Sequence, residues 1–208
     1  MKIFDIISFH IKNTQIIINP TVLICLPFLI FIDGSVYIIP VLLSIFIHES
    51  AHIICILLMK KNISLIRIMP FGIQIEIKIP PQLSYINEIF SAAAGPLSNL
   101  LFFIFTVFLY KYLPNPYIAF FGGCNFILML INLLPIFPLD GGRVVYALLL
   151  KHINIVTAAL IMDIISFIML LLLLISGMYV LINTGYNFSL IIIFIFLSTT
   201  HLLRLVKK

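Results

Sequence analysis

The sequence predicts an all-α polytopic membrane protein of about six transmembrane helices, and three observations support that fold class. The chain is 63% hydrophobic and only 9% charged over 208 residues, with a mean hydropathy of +1.27. A soluble domain carries about a quarter charged residues, and no globular core of this size could hide so much Ile, Leu and Phe from water. The apolar residues also fall into runs of spanning length, and the basic residues collect beside alternate ends of those runs, as the positive-inside rule requires.

The runs lie at roughly 16–32, 36–59, 90–110, 117–137, 157–182 and 188–203. Threaded in that order, eleven of the twelve Lys and Arg residues fall on one side and only Lys111 on the other. Both termini are then cytoplasmic, which agrees with an even number of spans, and the chain is expected to be a multi-pass protein of a bacterial cell membrane. The net charge of +5 reports topology. No basic face with interleaved aromatics is present, so the expected partner is the lipid bilayer and not nucleic acid. No cleavable signal peptide is evident, because Asp5, His10 and Lys12 interrupt the start before the first long apolar run. Cys25, Cys55 and Cys124 form no CxxC pair and are expected to be small apolar packing residues.

One stretch departs from helical periodicity. In ISLIRIMPFGIQIEIKIPP, residues 63–81, Ile73, Ile75, Ile77 and Ile79 alternate with Gln74, Glu76 and Lys78, and Pro70-Phe71-Gly72 marks a turn between two such runs. The pattern predicts a β-hairpin at the cytoplasmic face, since open strands are not tolerated against lipid. It is either a connector or an edge strand able to pair with an extended peptide.

The second run contains FIHESAHIIC, residues 46–55. Charged groups near a bilayer centre cost roughly 2.5–3.5 kcal/mol each on insertion scales, so His48, Glu49 and His52 call for a task. His48 and His52 are four apart and share one helix face. HExxH on a helix offers two imidazole ligands for zinc, with a glutamate beside them able to hold water. A hydrogen-bonded His–Glu–His cluster without metal is the blander alternative.

A catalytic zinc usually takes three protein ligands. His10, His152 and His201 are expected at interfaces, Asp33 lies in a loop on the opposite side, and Glu88 opens the third span. Asp140 lies in NLLPIFPLDGGR, residues 132–143, where Pro135 and Pro138 disrupt a helix and Gly141-Gly142 free the backbone. A broken helix within a membrane lines a cavity or is buried in protein. An isolated Asp-Gly pair would be a turn; with HExxH upstream, Asp140 is the expected third ligand. Asp163 is either intramembrane or, if the fifth span starts at Ile164, at the interface; the interface is expected, because 164–182 alone is long enough to span. Arg143 is expected to anchor topology, a substrate carboxylate being its other possible partner.

HESAH (48–52), GPLSN (95–99) and NLLPIFPLDGGR (132–143), in this order on successive spans, resemble the site-2 proteases, intramembrane zinc metalloproteases that cut transmembrane or membrane-associated substrates. The resemblance implies that His48, His52 and Asp140 bind Zn2+ and that Glu49 is the catalytic glutamate. It implies further that Asn132 contacts substrate or steadies the oxyanion. Asn99 follows less directly and could simply pack helices; Gly95 and Pro96 would allow close approach or a kink. The compact six-span plan resembles the sporulation-type members, which implies a membrane-associated substrate such as the pro-sigma-K precursor and membrane regulatory proteins as partners. The expected organisation is one metalloprotease domain over 1–208, with about 40 residues between HESAH and GPLSN, too few for a PDZ insertion, and no C-terminal CBS domain. Two other readings stay open. One is an HExxH membrane protease of another class, with Glu88 as third ligand. The other is a non-enzymatic zinc-binding transporter, which would need metal ligands on several spans.

Overall fold

The described residues comprise four strands and six helices. The computed structural model describes residues 7–11, 14–18, 37–61, 63–69, 72–77 and 84–206. Strands β1 (Ile7–Ile11), β2 (Thr14–Ile18), β3 (Ile63–Met69) and β4 (Gly72–Ile77) form one sheet in the order β1-β2-β3-β4. The helices are α1 (Ile38–Leu58), α2 (Tyr85–Tyr110), α3 (Pro116–Asn132), α4 (Asp140–His152), α5 (Ile155–Thr184) and α6 (Ser189–Val206).

The expected hairpin is present: β3 and β4 pair antiparallel, with Met69 opposite Gly72 and Ile66 opposite Ile75. Pro70, Phe71 and residues 78–81 lie outside the described residues. The sheet is larger than expected. β2 adds parallel to β3, with Ile16 opposite Ile66, and the Thr14 hydroxyl donates to the Ile63 carbonyl at 2.8 Å. The first expected span therefore does not begin at residue 16. Thr14, Ile16, Ile17 and Ile18 are β-branched, and a short apolar run of this kind cannot be told from helix by hydrophobicity alone. The rest of that span, with Cys25 and Asp33, lies outside the described residues.

Among the described residues, α1, α2, α5 and α6 are long and apolar enough to cross a membrane, and α3 is a shorter apolar helix. Their outer faces leave Phe46, Leu101, Phe108 and Ile182 each more than 60% exposed, the surface a lipid solvent permits. The protein is an integral membrane protein of mostly helical architecture with a small sheet.

The chain forms two compact units, Met1–Met129 and Leu130–Lys208. In the first, α1 buries Pro40, Ser44, His48, His52 and Ile56, every fourth residue. Such a row is a ridge inclined to the helix axis, suited to the groove of a crossing helix. The neighbour is α2, which buries Ser91, Ala92, Gly95, Pro96 and Asn99. Small side chains at these positions let the two backbones approach closely.

In the second unit, Ile136, Leu170 and Leu197 form the core, joining the segment between α3 and α4 to the α5–α6 pair. α3 stops at Asn132 and does not run to residue 137 as expected; residues 133–139 are non-helical and α4 begins at Asp140. Pro135 and Pro138 remove two backbone donors there. Gly141 and Gly142 act differently from expectation. Neither has a positive φ, so what they supply is space. A Cβ on Gly141 would lie 2.6 Å from the Leu134 carbonyl oxygen, and one on Gly142 would lie 2.6 Å from that of Ile136.

The same segment is held from α5 and α6. The Phe137 N–H donates to the Ser166 hydroxyl at 3.4 Å, and the Arg204 guanidinium lies 3.7 Å over the Phe137 ring. Arg204 is also 3.5 Å from Asp163. Asp163 thus lies inside a continuous helix that starts nine residues before Ile164, where the Asn154 side chain caps it by accepting from the Thr157 N–H at 2.9 Å. His10 and His152 are exposed, as interfacial residues would be; His201 is only 5% exposed, buried within α6.

Candidate metal centre

The every-fourth-residue ridge of α1 puts His48 and His52 on one buried face, at 4% and 5% exposure. Each ring is oriented by α2. His52 Nδ1 is 2.7 Å from the Ser91 carbonyl oxygen, and His48 Nδ1 is 2.5 Å from Asn99 Oδ1. Both partners are acceptors, so each Nδ1 carries the proton and each Nε2 keeps its lone pair. The two Nε2 atoms converge to 3.2 Å. Two lone pairs facing at this separation repel unless a cation or proton lies between them. This donor set fits a metal with affinity for imidazole nitrogen, and the hydrogen-bonded Nδ1 atoms are the arrangement that orients histidine ligands.

Gly95 makes room for the pair. A Cβ there would fall 2.7 Å from His48 Nε2 and closer still to His52 Nε2. The rings cannot retreat without breaking their Nδ1 bonds. Gly95→Ala is therefore expected to cost about 1–3 kcal/mol of stability by overpacking and to reduce bound metal, whereas Gly123→Ala, whose Cβ would meet nothing within 4 Å, should change neither. Thermal unfolding and metal content of the two purified variants check this; equal metal content in both would show that the rings tolerate the methyl.

Glu49 follows His48 on α1 and is half-buried. Asn132 and Asp140 bracket the non-helical segment of the second unit, Asn132 as the last residue of α3 and Asp140 as the first of α4. Asp140 is 7% exposed. Its Oδ1 pairs with the Arg143 guanidinium at 3.2 Å, one helical turn on. Arg143 thus has an internal partner that sequence reasoning did not assign, brought to it by the i,i+3 spacing. Glu88 lies in the first turn of α2, and among the described residues no cluster of three or more metal-ligating side chains includes it.

Sequence reasoning undervalued Asn99, which is fully buried and accepts from His48, and it missed Asn125 and Ser44, which bond to one another at 3.0 Å. The signal was available: an asparagine within an apolar span is as much in need of a reason as a histidine.

A family model described as peptidase family M50 matches residues 110–176, an interval that holds Asn132 and Asp140 but starts after the histidine pair. Stage IV sporulation protein FB of Bacillus subtilis (strain 168) is 28% identical over 114 residues, covering 54% of this chain. The match spans 40% of that relative's length. Among solved structures, the site-2 protease from Methanocaldococcus jannaschii shares the fold with a TM-score of 0.67 at 23% identity, over 94% of this chain and 93% of the other. Sequence matches and shared fold point the same way: the chain is similar to members of peptidase family M50 and shares the fold of a solved site-2 protease.

Proposed function

We propose that the chain is a zinc-dependent intramembrane endopeptidase in which His48, His52 and Asp140 hold the metal and Glu49 is the general base. The observation that carries this reading is the convergence of two oriented Nε2 lone pairs at 3.2 Å on a membrane-spanning helix. Asp140, proposed as the third ligand from its place in the NLLPIFPLDGGR segment, would bring the set to three side chains, the number that leaves a catalytic zinc a position open. Zinc, when bound, supplies a Lewis acid that acidifies water and polarises a carbonyl. The Glu49 carboxylate accepts a proton from the attacking water and passes it to the leaving amine. Asn132 donates its side-chain N–H to the oxyanion that develops on the scissile carbonyl.

The substrate is a membrane-associated protein. Likeness to a protein named for stage IV of sporulation favours a sporulation sigma-factor precursor such as pro-sigma-K, acting with membrane regulatory proteins. Both termini are cytoplasmic. Lys60 follows His48 by twelve residues, so at 1.5 Å per residue the first ligand is about 18 Å from that anchor. The hydrocarbon core is roughly 30 Å thick, which puts the metal in its cytoplasmic half.

The test is cleavage of a panel of single-span and membrane-tethered substrates in vesicles, with product termini read by mass spectrometry. Cuts should fall within, or just cytoplasmic of, the cytoplasmic half of the substrate's membrane segment. A zinc chelator should abolish them and added zinc restore them. Cleavage indifferent to chelation would overturn the metal reading, and cuts in the opposite leaflet would overturn the topology.

A further inference from the structure

Beyond the ligands and the general base, the first unit contains a buried polar chain that ends on His48, and its direction is set at the far end. Asn125 of α3 and Asn99 of α2 are both fully buried, where an amide without partners is costly. The Ser44 hydroxyl donates to the Pro40 carbonyl at 2.8 Å, so its oxygen is left to accept. Asn125 Nδ2 donates to that oxygen at 3.0 Å and to the Phe121 carbonyl at 2.8 Å. Both hydrogens of this amide are thereby committed, and Asn125 cannot reverse without setting its Oδ1 against a carbonyl oxygen. Asn125 Oδ1 must then face Asn99 and accept from Nδ2 at 2.8 Å. The second Asn99 hydrogen points to the Ser44 carbonyl at 3.4 Å, and Asn99 Oδ1 is turned to His48 Nδ1.

From this geometry we infer that Asn125 is a positioning residue: through Asn99 it holds His48 as the Nδ1-protonated tautomer and so keeps the Nε2 lone pair aimed at His52. The direction runs from two backbone carbonyls through Ser44, Asn125 and Asn99 to a metal ligand. With Asn125 replaced by an apolar residue, Asn99 can rotate its amide, present Nδ2 to the imidazole and favour the tautomer that withdraws Nε2 from ligation. Outer partners of metal-bound histidines act on affinity in this way.

The inference rests on the zinc reading, and a double-variant cycle separates the two. Asn125→Leu should weaken zinc binding by about 10- to 100-fold, measured by competition with a chromogenic chelator. In an Asn99→Asp background the carboxylate offers only acceptors to His48 whatever stands at 125, so Asn125→Leu should cost no more than about twofold there, a coupling between the two sites. If the residues merely bond the helices together, Asn125→Leu lowers thermal stability while its metal-free His48 stays protonated at Nδ1 in histidine-selective 15N spectra, and that result overturns the inference. So does unchanged affinity in Asn125→Leu. A wild-type protein that binds no zinc would instead refute the zinc reading. Histidine-selective 15N spectra of the metal-free wild type require neither zinc nor a variant: His48 should be protonated at Nδ1, and an Nε2-protonated His48 overturns the assignment.

Discussion

Glu49→Gln is expected to retain one equivalent of zinc and to lose about 10²–10⁴-fold in cleavage rate, the range of general acid–base contributions. Glutamine keeps the size of glutamate and its capacity to hold water by a hydrogen bond. It cannot accept a proton at the moment of attack, so binding survives and turnover does not. Glu49 is adjacent to His48 but is not part of the buried ridge to which His48 and His52 belong, and ligation should therefore be insensitive to the exchange. Metal content and single-turnover cleavage, measured on one preparation, decide the matter. Loss of both together would make Glu49 a structural residue of the metal centre, and retention of both would remove it from the chemistry.

His48→Ala, His52→Ala and Asp140→Ala are each expected to abolish stoichiometric zinc and all cleavage. Zinc held by protein side chains at a total of about 10–16 kcal/mol should lose on the order of a third of that with one ligand of three. Even 3 kcal/mol is more than a hundredfold in affinity. The histidine variants carry an internal control, because each leaves a different outer partner without its ring: Asn99 for His48 and the Ser91 carbonyl for His52. Asp140→Ala also releases Arg143 from its 3.2 Å ion pair, so Arg143→Gln is the needed comparison. It removes the pair but leaves the carboxylate, and should keep most of the zinc. Full zinc content in Asp140→Ala would exclude Asp140 from the site and reopen the search for a third ligand.

The chain's sequence by itself determined its solvent and its candidate chemistry. A composition with 9% charge has no aqueous fold open to it, and ionisable residues in apolar spans are costly enough to stand out one by one. That is why His48, Glu49, His52 and Asp140 stand out as candidates without coordinates, and why the alternation after residue 72 announced β4. What tertiary structure decided was everything that depends on a neighbour. β2 is a strand because β3 lies beside it, while its isoleucines alone suit a helix equally well. Gly141 and Gly142 are needed because backbone carbonyls of residues 134 and 136 lie 2.6 Å from where a Cβ would stand, which no local signal records. The tautomer of His48 is set by an amide 51 residues away, itself turned by another 26 further on. Hydrogen-bond direction is a property of donors and acceptors already in place, and it exists only once the helices have packed.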